Sequence, residues 1–508
     1  MRQNVELDNN HKPERVSNMK KTEKQATRRK FITIGASSAA VLLAGNASAD
    51  PSSESISNMQ YMQASEKAIT HDSVEQMKAD THLKAGDKVY TLGYHCCGDN
   101  GDNIYIITDN VKHQDNGGEF INLNKNGLKA RGLFPGGIIR VEQFGAIGIR
   151  ASQKDAQLID NTKAMNNAHT TGQVIFYAAK RYGFSRLNIA MGGIKGRGEG
   201  TILQSIDDSA QDLITYQGNK GDKMAGQFKD FSLVVDSNTQ KPAGAGIKLN
   251  SDPAASSAHT QIENVIIKNI PIAIQVDNAC GYGIKNCYLD SYSTYGIYLH
   301  FRNKKSDNHV QFARDNNIQN NILFTNQAKA TGIKYCGENC KINANNINGG
   351  LLGIDISPST PNPVVHITNN AIENQIKNCI RLTTTAADSI VRDDTQFSQV
   401  LISQNRLNTN LKQAAAILVA PEHFTLGDIS INNNLIRYHG DENTIAAINI
   451  KNSTRFMINN NTINCHKGEG FRGIYIDQDC SNGILSANHV ILPLNGHTLN
   501  LSPTTTLV

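Results

Sequence analysis

Apolar residues recur along the chain in short bursts of alternating period. From about residue 228 onward these bursts fall into two registers. The first reads apolar-x-x-Asn-x-apolar. It runs as Ile318, Asn321, Leu323; Ile342, Asn345, Ile347; and Ile367, Asn370, Ile372. It continues through Ile402, Asn405, Leu407; Ile431, Asn434, Ile436; Ile458, Asn461, Ile463; and Leu485, Asn488, Val490. Earlier copies keep the flanking apolar positions but place Phe231, Val265 or Cys287 where the Asn stands. Successive marker positions lie 22 to 35 residues apart.

The second register follows each copy and reads small-Ile-x-apolar. Examples are Gly296-Ile297-Tyr298-Leu299, Gly332-Ile333-Lys334-Tyr335, Gly353-Ile354-Asp355-Ile356 and Cys379-Ile380-Arg381-Leu382. The same pattern recurs at Ile247, Ile274, Ile417, Ile448 and Ile474. In such a short strand the Ile and its i+2 neighbour face inward, and the residue between them faces outward. Two short strands, an Asn turn and a further apolar strand per repeat make one coil of a parallel β-helix. The Asn side chains then stack as a hydrogen-bonded ladder at a bend. The expected class is all-β.

A chain of 508 residues suggests several globular domains, but a repeat fold grows a single core by stacking. Only 19% of residues are charged, and 41 Gly stand against 12 Pro with no Trp. That mix excludes charge-driven disorder, collagen and a helical bundle rich in Glu, Lys and Leu.

Near the start, Thr27-Arg28-Arg29-Lys30-Phe31-Ile32-Thr33 resembles the twin-arginine export motif. An apolar run from Phe31 to Gly45 and a small-x-small site at Ala47-Ser48-Ala49 follow. The run is too short to cross a bilayer of about 30 Å, and no later segment is long and apolar enough. The resemblance implies bacterial export in the folded state, a mature chain starting near Asp50 and a periplasmic or secreted location. The formal charge of +5 belongs to this segment. Removing its nine basic and four acidic residues from 50 and 45 leaves 41 of each. A nucleic-acid partner needs a basic patch on the domain itself, so none is expected.

Of nine Cys, Cys96 and Cys97 are adjacent, and Cys336 and Cys340 are the close pair expected to cross-link. No Cys/His spacing matches a zinc site. His113, His169, His366, His439, His466 and His497 are scattered and read as surface or turn residues. Gly196-Arg197-Gly198-Glu199-Gly200 reads as a structural turn, since no helix follows it to form a phosphate loop.

Three segments carry a family resemblance. Val141-Glu142-Gln143-Phe144-Gly145-Ala146-Ile147-Gly148, Asp160-Asn161-Thr162-Lys163-Ala164 and Gly172-Gln173-Val174-Ile175-Phe176 resemble the opening of the pectate-lyase-like superfamily. Phage tailspike depolymerases and many secreted polysaccharide enzymes share it. Leu92-Gly93-Tyr94 and Gly98-Asp99-Asn100-Gly101 resemble the small head that precedes this opening in tailspike-like proteins. The resemblance implies a right-handed single-stranded parallel β-helix with a β-rich head and a short capping helix, N-capped within Asp160-Asn161-Thr162. The family's Gly-Asp-Gly and paired Asp are here Gly148-Ile149-Arg150 and Asp160-Asn161, so no enzyme subclass carries over. Trimers are common among tailspike relatives, but no sequence feature here settles the oligomeric state. The expected organisation is a signal over 1–49, a polar leader over 50–80, a head over 81–140, the coil over 141–500 and a tail over 501–508.

Related β-helices use the sheet of small-Ile-x-apolar strands as the floor of a carbohydrate groove. Its outward column reads Lys248, Gln275, Tyr298, Lys334, Asp355, Arg381, Leu418, Asn449 and Tyr475. Rungs about 4.8 Å apart spread Tyr298, Lys334, Asp355 and Arg381 over about 14 Å. His300, Ser357 and Thr383 lie in the next outward column. Long connections follow His300, with Arg302, Lys304 and Lys305, and follow Leu382, with Asp388, Arg392, Asp393 and Asp394. Such connections often carry function. Tyr292, Tyr295 and Tyr298 offer flat faces for sugar rings. A plain cross-strand charge ladder is the competing reading of the same rungs.

A lyase acting on a uronate needs a base for the proton α to the carboxylate and a cation to neutralise that carboxylate. Lys334, Tyr298 and His300 are the candidate bases, and Arg381 suits bidentate carboxylate binding. Asp355 either holds Lys334 and Arg381 in place or shares a bound Ca²⁺ with loop carboxylates. Tyr295, Arg302, Lys304, Lys305 and Arg392 are the candidate substrate contacts. A hydrolase wants two carboxyl groups about 5–9.5 Å apart, and the central columns offer only Asp355, with Glu338, Asp393 or Asp394 as loop partners. That favours a lyase on an acidic polysaccharide. A tailspike-like hydrolase, an epimerase and a non-catalytic glycan-binding protein remain the alternatives.

Overall fold

The computed structural model describes residues 69–507, apart from 110–111, 125–126, 154–155, 208–211, 218–225, 237–243, 251–258, 278–280, 301–314, 338, 359–362, 385–398, 410–413, 424, 439–445, 466–471, 492–496 and 501–504. The expected signal lies outside the described residues. No described helix is long and apolar enough to cross a membrane.

The head is a five-stranded sheet. Alternation in Lys88–Thr91 and Asn103–Thr108 puts Val89, Tyr105 and Ile107 on a buried face, covered by Val74 and Met77 of the helix Val74–Ala79. Ser73 caps that helix by accepting from the Gln76 N–H at 3.3 Å. Within the leader expected over 50–80, Ile69–His71 is a strand that pairs in parallel with Lys88–Thr91. At the other end Thr506–Leu507, expected in the tail, pairs with Ser481–Ser486.

The rest is a parallel β-helix. Among the described residues each regular coil gives two strands to a 24-stranded sheet and one to a 12-stranded sheet. The smaller sheet is the stack of small-Ile-x-apolar strands. Its isoleucines pair from rung to rung, as Ile297, Ile333, Ile354, Ile380 and Ile417 show, and all are fully buried. The small residue before each Ile has a steric cause. A Cβ on Gly332 would come within 2.6 Å of the Gly353 carbonyl oxygen and of Ile347, and one on Gly353 within 2.5 Å of the Cys379 carbonyl oxygen and of Ile372.

The Asn ladder sits at the corner between the two strands of the larger sheet. Asn405 shows the pattern. Its Oδ1 accepts from the Asn370 backbone N–H and from Asn370 Nδ2, both at 3.0 Å. Its Nδ2 donates to the Ile367 carbonyl at 2.9 Å and to Asn434 Oδ1 at 3.0 Å. The same set of bonds links Asn321, Asn345, Asn370, Asn405, Asn434, Asn461 and Asn488. The residue before each ladder Asn takes a left-handed φ, such as +56° at Asn320 and +58° at Asn369, a conformation that Asn tolerates better than most residues.

The helix Thr162–His169 covers the N-terminal mouth of the coil with Met165, Ala168 and His169. Asn161 precedes it but does not cap it by side chain. Its Oδ1 accepts from the Ile147 N–H at 2.6 Å, and Asp160 Oδ1 takes the Thr162 N–H at 2.9 Å. His169 is not the surface residue expected. It is buried against Tyr177 Oη at 3.1 Å, and burial pushes its imidazole down to about 3. The cross-link expected between Cys336 and Cys340 is absent, and both thiols are free.

Glu142 is buried beside this mouth. Tyr182 Oη donates to its Oε1 at 2.5 Å and Lys180 Nζ stands 3.7 Å away, while Oε2 has no partner among the described residues. Burial pushes its pKa up against those two partners. A carboxyl with a raised folded pKa opposes folding once the pH passes its unfolded value of about 4.3. Glu142→Gln is therefore expected to raise the melting temperature at neutral pH and to leave it unchanged near pH 4, as thermal melts at the two pH values would show. Asn405→Ala orphans the Asn370 amide groups and the Ile367 carbonyl. The expected loss is at least about 3 kcal/mol at roughly 1–3 kcal/mol per unsatisfied group, measured by urea denaturation.

Candidate functional site

The outward column follows the predicted register without a slip. Tyr298 pairs with Lys334, Lys334 with Asp355, Asp355 with Arg381, and Arg381 with Leu418. The structure joins three of these side chains into one cluster. Arg381 donates to Asp355 in bidentate fashion, Nε to Oδ1 at 2.9 Å and Nη2 to Oδ2 at 2.8 Å. Lys334 Nζ donates to Asp355 Oδ2 at 2.6 Å and to Ser357 Oγ at 2.5 Å. Ser357 and Thr383, 3.0 Å apart, continue the second column beneath the cations.

Asp355 is only 2% exposed although its strand turns it away from the core. Burial raises its pKa, but the Arg381 hydrogen bonds and the Lys334 charge outweigh that and hold the carboxyl below the usual range. The cluster therefore holds two cations around one carboxylate and is net positive. Arg381 keeps 32% of its side chain exposed, and only two of its five N–H donors are committed to Asp355. Lys334 Nζ is held in place by Asp355 and Ser357. Both Asp355 oxygens are taken by cations, so the residues do not fit a Ca²⁺ ion at this carboxylate. Among the described residues no group of three His, Cys, Asp or Glu comes together to hold a metal.

Tyr295 and Tyr298 stack on each other with centroids 4.6 Å apart and planes 23° apart. Both are half-buried and lie on the strand beside Lys334. Tyr292 is fully buried and offers no face to a ligand. His300 ends the same strand, its Cα paired with that of Asp277. Arg302, Lys304, Lys305 and Arg392 lie outside the described residues, as do Glu338, Asp388, Asp393 and Asp394.

Three contributors were given no role by sequence reasoning. Ser357 and Thr383 were visible as i+2 neighbours of Asp355 and Arg381, and only the bonds from Ser357 to Lys334 and to Thr383 show what they do. Glu422 follows the next strand, acts on Arg381 electrostatically and is tied down through its backbone N–H to Thr384 Oγ1 at 2.8 Å. No pattern in the sequence brings it there. Cys336 borders the cluster, and burial pushes its thiol up despite the Lys334 charge, so it is no thiolate nucleophile at neutral pH.

No protein family and no curated protein matches the chain. Among solved structures it is similar to tailspike protein 2 of an Escherichia coli O157:H7 bacteriophage, at 14% identity and a TM-score of 0.42 over 84% of this chain and 55% of that one. The chain thus spans little more than half of that tailspike's length. It is similar to tailspike gp49 of the Acinetobacter baumannii bacteriophage Fri1, a capsular polysaccharide depolymerase, at 13% identity and a TM-score of 0.40 over 85% and 76% of the two chains. It is also similar to the A-module of the Azotobacter vinelandii mannuronan C-5 epimerase AlgE4, at 15% identity and a TM-score of 0.38 over 73% and 100%. These likenesses concern the fold.

Asp355→Asn leaves Lys334 and Arg381 facing each other without a counter-charge. The expected cost is about 3–5 kcal/mol at neutral pH. Because the folded pKa of Asp355 is depressed, the wild-type advantage is present above about pH 4 and is lost as the pH falls through the folded value. Urea melts at stepped pH would therefore show the gap between the two proteins closing in acid. A gap that stays constant with pH would remove the ion pair from the account.

Proposed function

We propose that the chain is an exported polysaccharide lyase that binds an acidic, uronate-containing glycan across the outer face of the 12-stranded sheet and cleaves it by β-elimination. The observation that carries the reading is the buried carboxylate of Asp355 clamping two cations into a net positive site one rung from the stacked Tyr295 and Tyr298.

In this reading the uronate carboxylate lies against Arg381 and Lys334, and a sugar ring rests on the Tyr pair. Neutralising the carboxylate makes the adjacent C5 proton more acidic, and the fixed cations stabilise the charge that develops as it leaves. Tyr298 or His300 takes that proton. The C4–oxygen bond then breaks, a C4–C5 double bond forms, and the leaving oxygen takes a proton from water. Asp355 positions Lys334 and Arg381 and is held ionised, so it is unsuited to be the acid of a hydrolase, which must carry a proton. Export through the twin-arginine route, to the periplasm or beyond, belongs to the same proposal.

The test incubates the protein with polygalacturonate, alginate, hyaluronan and heparosan while following absorbance of the unsaturated product. One polymer is expected to give the signal, with Arg381→Ala and Lys334→Ala each lowering the rate at least about 100-fold. Arg381→Lys should not restore it, because a point charge cannot replace the bidentate fork. New reducing ends without the chromophore would make the protein a hydrolase. Binding without any shortening of the polymer would make it a glycan-binding protein.

A further inference from the structure

The sheet that carries Lys334, Asp355 and Arg381 holds a second built surface farther along the coil. The strands Tyr295–His300 and Arg472–Ile476 share one local plan, x-Gly-Ile-Tyr. In both, the Gly and Ile are buried and the residues at each end of the four are half-buried on the outer face. In the first strand the leading residue, Tyr295, stacks on the ring of Tyr298. In the second the leading residue is Arg472, whose guanidinium lies over the ring of Tyr475 at 5.3 Å. A guanidinium over a ring keeps N–H donors for other partners, and these suit a carboxylate.

The register fixes where this pair stands. Tyr298, Lys334, Asp355, Arg381, Leu418, Asn449 and Tyr475 are successive partners in one column. At about 4.8 Å per rung, Tyr475 lies about 14 Å from Arg381 and about 29 Å from Tyr298. Asn449, one rung before Tyr475, supplies an independent observation. It is 4% exposed, its strand turns it to the outer face, and its Oδ1 meets no donor among the described residues. A buried acceptor without a donor is costly, and a hydroxyl arriving over Tyr475 removes that cost.

We propose that Arg472, Tyr475 and Asn449 form a distal subsite for an acidic sugar residue of the same glycan. The ligand is then a polymer segment long enough to cover seven rungs, held at both ends by an aromatic platform and near one end by the Lys334–Arg381 pair. Chemistry at that pair is off-centre, with one rung to the Tyr298 side and three to the Tyr475 side. This inference rests on the reading of the central cluster as an acidic-glycan site.

The test is calorimetric titration of the full chain with size-fractionated oligogalacturonates and oligomannuronates, tetramers against decamers. In the wild type one decamer series is expected to bind at least about tenfold tighter than its tetramer, a difference of about 1.4 kcal/mol. The Arg472→Ala/Tyr475→Ala double variant should lose that length preference and bind the tetramer as before, and Tyr475→Phe, which keeps the ring, should retain it. Equal wild-type affinity for both lengths overturns the distal subsite and leaves the central site standing. A double variant that keeps the preference, with an unchanged melting temperature, does the same. Loss of tetramer binding in Arg381→Ala confirms that the central site is the one read by the short ligand. If neither length binds in either series, and hyaluronan and heparosan oligomers of the same lengths do not bind, the acidic-glycan reading falls and the distal subsite falls with it.

Discussion

At each corner of the larger sheet from Asn345 to Asn461, an asparagine amide accepts two hydrogen bonds from the preceding coil and donates to that coil and to the next. This interaction sets the spacing and phase of neighbouring rungs. A parallel pairing can slip by one residue only by turning every side chain to the other face, and a buried amide that must find four partners forbids the slip. The isoleucine stack of the smaller sheet follows from that phase, and so does the outward column on the same strands. Lys334, Asp355 and Arg381 come from positions up to 47 residues apart in sequence, yet they meet within hydrogen-bonding distance because three successive coils are held in step.

The cluster they form shows how a coil uses charge. A carboxylate turned outward on a strand is ordinarily solvated. Here Lys334 and Arg381 cover it, so Asp355 is at once an outward residue and a buried one. Its charge is useful through the two cations it holds still. The arginine and the lysine keep fixed positions only while the aspartate between them remains ionised.

Much of this was legible in the sequence for a physical reason. Alternation of period two and a marker at each turn are properties of single residues, so the coil, the inward stack and the neighbours in the outward column could all be read in advance. What could not be read depends on distances between side chains. The contact of Ser357 with Lys334 needs the second column to lie under the first ammonium. The burial of Tyr292 follows from the coil bending before Tyr295, and spacing alone made it a third exposed ring. His169 looked like one more scattered histidine until the helix Thr162–His169 closed the mouth of the coil over it. The strand Ile69–His71 was hidden because its pairing partner lies in the head and not in the repeat. Glu422 reaches Arg381 through a turn that has no periodic signature.

The replacement of the ladder asparagine by Phe231, Val265 and Cys287 in the earlier coils divides the molecule into two kinds of joint. Before Cys287 the marker position itself is filled by buried apolar side chains, and the bond across the corner runs one residue earlier, from Asn264 Nδ2 to Asp230 Oδ1 at 3.0 Å. After it the corners are held by amides that accept only one geometry. The changeover falls where Cys287 gives its backbone N–H to Asn321 Oδ1 at 2.9 Å and has only a thiol to offer the coil before it. Tyr298 belongs to the Cys287 coil, whereas Lys334, Asp355 and Arg381 belong to the coils of Asn321, Asn345 and Asn370. The ring face and the cations thus stand on opposite sides of a boundary between two kinds of corner, with the candidate site laid across the seam.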